Sequence, residues 1–173
     1  MNESRKYWGK YRGTVVNNVD PLQLGRIQAL VPDVLGVAIS SWALPCAPVG
    51  GTNMGVFAVP LPGAGVWIEF EQGDPDYPIW VGCFWGTAAE TPALAQTAPA
   101  PTPAITLQTP LKNGIVIADA LGPFGLGGIT LQSASGATIA VNDVGITITN
   151  ARGAQISLTG PTVDINLGAL TVT

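Results

Sequence analysis

The sequence predicts an all-β protein with two domains joined by a linker. Charged residues make up only 10% of its 173 residues, while hydrophobic residues make up 47%. Glycine (22) and proline (15) are too frequent for long helices. The composition also changes twice along the chain. These changes predict domains at residues 1–86 and 105–173, separated by an Ala/Thr/Pro-rich linker at 87–104.

Short β runs between turn signals predict a small barrel in the first domain. YRGTVVNN predicts a strand, VDPLQLG a turn, and RIQALVP a second strand in which Ile27, Ala29 and Val31 share one face. MGVFAVP, VWIEFE and IWVGCFWG predict three more strands, with the apolar residues of VWIEFE alternating. Five short strands in about 85 residues are typical of an OB-fold barrel.

In the second domain, aliphatic residues with period two form pairs and one triplet, Val163, Ile165 and Leu167. These groups begin 10, 7, 10, 7 and 7 residues apart. Each pair predicts a short strand, and each gap predicts a tight turn. One chain offers only a narrow apolar stripe, so we expect three chains to wrap round a common axis as an intertwined trimeric β-helix or β-prism needle. The expected trimer core of the needle is Ile129, Leu131, Ile139, Val141, Ile146, Ile148, Ile156, Leu158, Val163 and Ile165.

The residue inventory disfavours several classes of chemistry. The absence of histidine removes the commonest general base, the usual serine and cysteine triads, and histidine metal sites. Proline and glycine interrupt the longest charge-free run, residues 34–68, so it does not predict a transmembrane helix. The charged N-terminus does not resemble a signal peptide, and we expect synthesis in the cytoplasm. Cys46 and Cys83 have apolar neighbours and are predicted to be reduced, buried thiols.

Three further features have competing interpretations. Glu69, Glu71, Asp74 and Asp76 fall close together, but strand alternation and a Gly-Asp-Pro turn predict a solvated hairpin rather than a carboxylate pair or divalent-metal site. GPFGLGG, at 122–128, lacks the order of a phosphate-binding loop and predicts a flexible turn. An OB barrel can bind single-stranded nucleic acid, but a pI of about 4.5 and the acidic VWIEFE strand disfavour it.

The first domain resembles the OB domain of the central spike of contractile injection machines. These spikes include phage baseplate assembly protein V, the type VI VgrG spike and relatives in extracellular injection systems. The resemblance rests on the DPLQLGRIQ turn and strand, the VP before the PGAGVWIEFE strand pair, and GDPDYPIWVG. It covers about residues 8–86. The β-rich needle of that family fits residues 105–173 in kind, without a specific motif.

The resemblance implies a homotrimer whose OB domains surround the top of the needle, below the baseplate hub. The sequence lacks the hub-forming domain of VgrG proteins and an inserted lysozyme domain, so we expect other proteins to supply those functions. Some phage spikes close their tip with iron bound by a His-x-His motif. Because this sequence has no histidine, we expect a separate PAAR-like tip protein instead. No cofactor, nucleic-acid partner or enzymatic activity is expected.

The predicted function is therefore that of a structural spike in the baseplate of a phage virion or injection particle. It would dock to the hub and pierce the target cell envelope, in transient contact, when the sheath contracts. The final strand has no cap, and its open edge predicts a docking platform for the tip protein at Leu170, Val172 and Thr173. The basic N-terminal region supplies the candidates for hub docking: Arg5, Lys6, Lys10 and Arg12.

Two other classes stay open beside the spike. A trimeric tail-fibre or adhesin-type binding protein is expected to end in a globular receptor-binding head, which the sequence does not indicate. A β-helical polysaccharide lyase or hydrolase needs charges clustered on one face. The charged residues of 105–173 are instead widely spaced: Lys112, Asp119, Asp143, Arg152 and Asp164.

Overall fold

The computed structural model describes residues 5–97, 103–120 and 127–172, without the side chains of Thr97 and Thr171. The chain divides into two compact units, residues 1–88 and 89–173. The predicted linker includes two 3-10 turns, Ala88–Glu90 and Ala95–Thr97. The domain boundaries at 86 and 105 stay predictions. Most of the predicted Gly-rich turn, residues 122–126, lies outside the described residues.

The first unit is a five-stranded sheet closed into a barrel. The order of its strands is β2-β1-β6-β7-β3, with only the β3–β7 pair parallel. A β4–β5 hairpin and a four-residue helix, α1, stand beside this sheet. Ile27 and Ala43 close the barrel by exchanging backbone N–H···O bonds of 3.1 and 2.8 Å. The elements are β1 (Tyr11–Asn17), β2 (Gln28–Leu30), α1 (Pro32–Leu35), β3 (Leu44–Pro45), β4 (Gly50–Gly51), β5 (Met54–Gly55), β6 (Gly65–Phe70) and β7 (Pro78–Phe84).

Alternating residues of two predicted strands form the centre of the barrel. Ile27, Val31, Val66 and Ile68 are fully buried, as the alternation in RIQALVP and VWIEFE predicted. The rest of the buried cluster is Val15, Ala29, Ala43 and Phe70. This cluster is contained within one chain, so the unit has its own core.

Two predictions about the first unit are wrong. MGVFAVP was expected to be a strand, but the strand comprises only Met54–Gly55; the next residue donates one backbone bond, from the Val56 N–H to the Val49 carbonyl at 3.1 Å, and residues 57–59 belong to no strand. Cys46 and Cys83 are free but exposed rather than buried. Some of their apolar neighbours, including Leu44 and Trp85, are exposed as well, so local hydrophobicity did not indicate burial at these positions.

The second unit is an antiparallel sheet of eight strands in sequence order, each strand paired with the one before it. The predicted series began at Ile129 and therefore missed the first two strands. Leu167, predicted to extend the strand that contains Val163 and Ile165, lies in a turn with φ of 57° and is 81% exposed. The strands are β8 (Ala104–Gln108), β9 (Gly114–Ala118), β10 (Gly128–Gln132), β11 (Thr138–Asn142), β12 (Gly145–Thr149), β13 (Gln155–Thr159), β14 (Thr162–Ile165) and β15 (Leu170–Val172).

Asparagine side chains fix two of the tight turns of this sheet. Oδ1 of Asn142 accepts hydrogen bonds from the backbone N–H of Val144 at 2.9 Å and of Gly145 at 3.3 Å. Oδ1 of Asn150 accepts similarly from Arg152 and Ala154, at 2.8 and 3.1 Å. Such side-chain bonds replace the backbone pairing that a turn gives up, and they hold the strands on either side in register.

Candidate functional site

One face of the C-terminal sheet carries two rows of aliphatic side chains that cross all eight strands; we call it the ladder face. Strand pairing places each residue opposite its equivalent on the next strand. The first row is Ile105, Ile117, Ile129, Val141, Ile146, Leu158, Val163 and Val172. The second row is Leu107, Ile115, Leu131, Ile139, Ile148, Ile156, Ile165 and Leu170. Directly opposed β-branched and aliphatic residues of this kind stabilise a sheet when the face is covered.

In one chain the ladder face is open to solvent. Among its side chains only Ile146, Val163 and Ile165 are less than about a third exposed, while Ile129 is 47% and Leu107 is 66% exposed. A continuous apolar surface on this scale is unusual in a soluble monomer and marks a contact with other chains. The face is therefore the candidate functional site of this unit.

The opposite face of the same sheet is polar. Its central row includes Thr130 and, beyond Ala140, the polar residues Thr147, Ser157 and Asp164, which lie opposite one another on β12, β13 and β14. Burying these groups without partners would cost free energy, whereas burying the aliphatic rows releases it. The sheet therefore has one face suited to contact with other chains and one suited to water.

Residues 89–97, which we call the clasp, cover a small part of the polar face. Leu94 is 6% exposed and packs with Val116 and Ala118, two of the few aliphatic residues on this face. The Leu94 backbone N–H donates to Oε1 of Gln108 at 2.9 Å. A Cβ at Gly114 would lie 2.8 Å from Cδ1 of Leu94, so glycine makes room for the clasp. Part of the predicted linker thus belongs to the second unit and packs against its sheet.

All ten residues predicted as the needle core lie on the ladder face. Their burial between chains stays a prediction. Four residues that were not predicted extend both rows to β8 and β9: Ile105, Leu107, Ile115 and Ile117. AITLQ and GIVIA carry the same alternation as the later strands, so this signal was present. It was overlooked because the predicted series began after the Gly-rich segment.

The final strand presents an open edge. β15 pairs with β14 alone among the strands that the structure describes. Leu170 and Val172, predicted to bind a tip protein, are 55% and 56% exposed and lie opposite Ile165 and Val163. Thr173, the third predicted residue, lies outside the described residues.

The four predicted hub-docking residues all have partners within the first unit. The segment that carries them runs beside the acidic hairpin after β6, where the Tyr7 N–H donates to the Gly73 carbonyl at 2.9 Å. These contacts are modest because most of them are exposed. They are Arg5 over the ring of Tyr7 (5.3 Å), Lys6 with Asp74 (3.9 Å), Lys10 with Glu69 (2.6 Å), and Arg12 over Trp67 (5.1 Å) and Phe84 (4.8 Å).

Asp20 organises the turn between β1 and β2. Its carboxylate accepts backbone hydrogen bonds from Leu22, Leu24 and Arg26, at 3.0, 2.8 and 3.3 Å. It also accepts from Nε and Nη2 of the Arg26 guanidinium, at 3.0 and 2.6 Å. The bonds from this guanidinium hold the pKa of the Asp20 carboxyl well below its usual range. DPLQLG was predicted to be a turn, but the ion pair between Asp20 and Arg26 was not predicted.

The described residues contain no group of three or more Cys, Asp or Glu side chains placed to hold a metal ion. Within the same ranges, the structure contains no helix long and apolar enough to span a membrane. Glu69 and Asp74, the predicted hairpin carboxylates, take part in the ion pairs with Lys10 and Lys6.

Comparison with protein-family models gives two matches, one in each unit. Residues 11–85 match the family described as type VI secretion system/phage-baseplate injector OB domain. Residues 104–171 match the phage baseplate V C-terminal trimerisation domain, and this range includes every strand from β8 to β14. A search among curated proteins finds no match for the chain.

Proposed function

Because the chain belongs to the phage baseplate V family of spike-type proteins, we propose that three copies form the central spike of a contractile tail. In this role the spike docks to the baseplate hub and pierces the target cell envelope when the sheath contracts. The two matched domains support a baseplate role and a homotrimer, and both families are structural rather than enzymatic. The observation that carries the proposal is the ladder face, on which thirteen of sixteen aliphatic side chains are more than a third exposed in one chain.

Three ladder faces directed at a common axis would bury both rows along the whole sheet. Eight strands spaced about 4.8 Å apart give each row a length of about 34 Å. Each five-residue strand is about 17 Å long, which is also the width of the sheet. Three such sheets would enclose a narrow prism that Ile, Leu and Val side chains can fill. Such a rod combines continuous backbone hydrogen bonding with a dry interior, which suits a part that transmits axial force.

We assign the two ends of the proposed spike to different partners. The exposed Leu170 and Val172 at the open edge of β15 support docking of a PAAR-like tip protein. The basic N-terminal segment supports docking of the hub, although a hub would have to displace or share the contacts to Glu69 and Asp74. Assembly in a phage virion or injection particle follows from the same proposal.

Native mass spectrometry of the full chain tests the assembly, and a trimer is the expected result. Binding assays with a hub protein and a PAAR-type protein encoded beside this chain then test the two ends. A trimer that binds neither protein but adheres to intact cells would favour a tail fibre or adhesin instead. A monomer would overturn the proposal altogether.

A further inference from the structure

The first unit contains an apolar groove that neither of its predicted docking surfaces uses; we call it the OB groove. It encloses about 690 Å³ and is lined by Leu24, Gly25 and residues 45–51, 54–59 and 80–83. No lining residue is charged. Phe57 and Met54 at its rim are 73% and 63% exposed. A groove of this composition favours an apolar occupant over a polar ligand.

The walls of the OB groove are fixed by hydrogen bonds within the unit. The Trp80 indole N–H donates to the Gly25 carbonyl at 3.1 Å, which joins β7 to the turn organised by Asp20. The Cys46 N–H donates to the Trp80 carbonyl at 3.0 Å, which joins the wall formed by residues 45–51 to β7. A Cβ at Gly25 would lie 3.1 Å from the Phe57 ring, so that ring is seated over the glycine. The groove is therefore already formed in the single chain.

We propose that, in the trimer, the OB groove of each chain is covered by the OB unit of a second copy. The inference rests on the trimer and adds a second contact between its chains. β7 forms one wall of the groove through residues 80–83 and ends at Phe84, where the chain leaves the OB unit. The trimerisation domain begins at residue 104. The groove thus lies on the strand that precedes the connection to the trimerisation domain.

The short connection keeps neighbouring OB units together. About 20 residues separate Phe84 from the trimerisation domain, and even a fully extended segment of that length spans only roughly 65 Å. Units tethered at this distance meet at effective concentrations of roughly millimolar, so a weak apolar contact suffices to hold them. The uncharged stretch at 34–68 supplies most of the groove and brings no like charges together.

The two cysteines of the chain report directly on this groove. Cys46 and Cys83 both line it, and both are exposed in the single chain. We expect both thiols in the intact wild-type trimer to react with a maleimide at least tenfold more slowly than in an Ile148→Asp chain that cannot assemble. Native mass spectrometry establishes the oligomeric state of each sample first. Tryptophan fluorescence checks that the OB unit is folded, since all five tryptophans precede residue 86.

Two variants keep the experiment decisive. Phe57→Ser removes an exposed side chain from the rim of the OB groove. It should speed the alkylation of Cys46 and Cys83 at least threefold while the protein remains a trimer. Val144→Ser is the control: it removes an exposed apolar side chain from a turn of the C-terminal sheet and should leave the alkylation rates of Cys46 and Cys83 unchanged. Equal rates in the wild-type trimer and the Ile148→Asp chain would overturn the proposal, as would protection that appears only after a hub protein is added. A monomeric wild-type chain would refute the trimer itself, which native mass shows before any thiol is labelled.

Discussion

The two units use the same aliphatic residues in opposite ways. In the OB unit, Ile27 and Ile68 are fully buried within one chain. In the C-terminal unit, Ile129 and Ile148 are 47% and 41% exposed although they occupy equally regular strand positions. Alternation therefore indicates which face of a strand is apolar, but does not indicate whether the chain itself covers that face.

Topology explains the difference. The OB sheet closes on itself through Ile27 and Ala43, so one side of every strand becomes an interior. The C-terminal meander adds each strand beside the last and has no layer of its own across the ladder face. A single sheet must bury its apolar face against another layer. The match to a trimerisation domain supports our proposal that other copies of the chain supply that layer.

The largest effect is expected from a charge placed on the ladder face. Ile148→Asp, or Ile156→Asp, would bury three carboxylates about one axis in the trimer, at a cost of several kcal/mol per ion. We expect loss of the trimer, measured by native mass spectrometry. Thr147→Asp is the matched control, because Thr147 lies on the polar face next to Ile148 and should leave the trimer intact. If the two variants assembled equally well, the ladder face would not be the interface.

The complementary test removes buried volume from the OB core. Ile68→Ala should destabilise the OB unit by about 2–5 kcal/mol, because Ile68 is fully buried and its loss leaves a cavity. The unfolding transition followed by tryptophan fluorescence should move to lower denaturant concentration. The protein should remain a trimer in native buffer. A coupled loss of the trimer would show that the OB core and the needle form one cooperative unit.

Much of the fold could be predicted from the sequence, because period-two alternation is a local signal. It located Ile27 and Val31 in the barrel core and placed all the predicted needle residues on one face. The exposure of Cys46 could not be predicted, since burial there depends on which segments pack against residues 46–59. The Asp20–Arg26 pair was missed for a related reason: two charges in a turn indicate an ion pair only when the backbone geometry is known.

The acid stability of the OB unit should reveal the Asp20 network. The pKa of Asp20 is lowered in the folded chain and is about 3.9 in an unfolded one, so its stabilising contribution is present above about pH 4 and is lost as the pH falls through the folded value. Asp20→Asn should lower the fluorescence-detected unfolding midpoint at pH 7. The difference from wild type should narrow progressively below about pH 4, because Asp20 of the unfolded wild-type chain then takes up a proton while the folded carboxylate stays charged. A constant difference across this range would exclude ionisation of Asp20 as the cause.

The smallest expected effect lies in the clasp, where the C-terminal sheet buries an aliphatic cluster within its own chain. Leu94→Ala should cost about 2 kcal/mol, the lower end for a buried leucine, because its cluster includes only Val116 and Ala118. The trimeric mass should persist, since the clasp lies on the face opposite the ladder. Hydrogen exchange measured by mass spectrometry should show faster exchange at residues 89–97, while exchange in the strands from β10 onward should be unchanged.

Gly114→Ala should have a similar effect on exchange at residues 89–97, because its Cβ would lie 2.8 Å from Cδ1 of Leu94. Loss of the trimer in either variant would mean that intrachain packing on the polar face is needed for assembly on the ladder face, and the two faces could no longer be treated as independent.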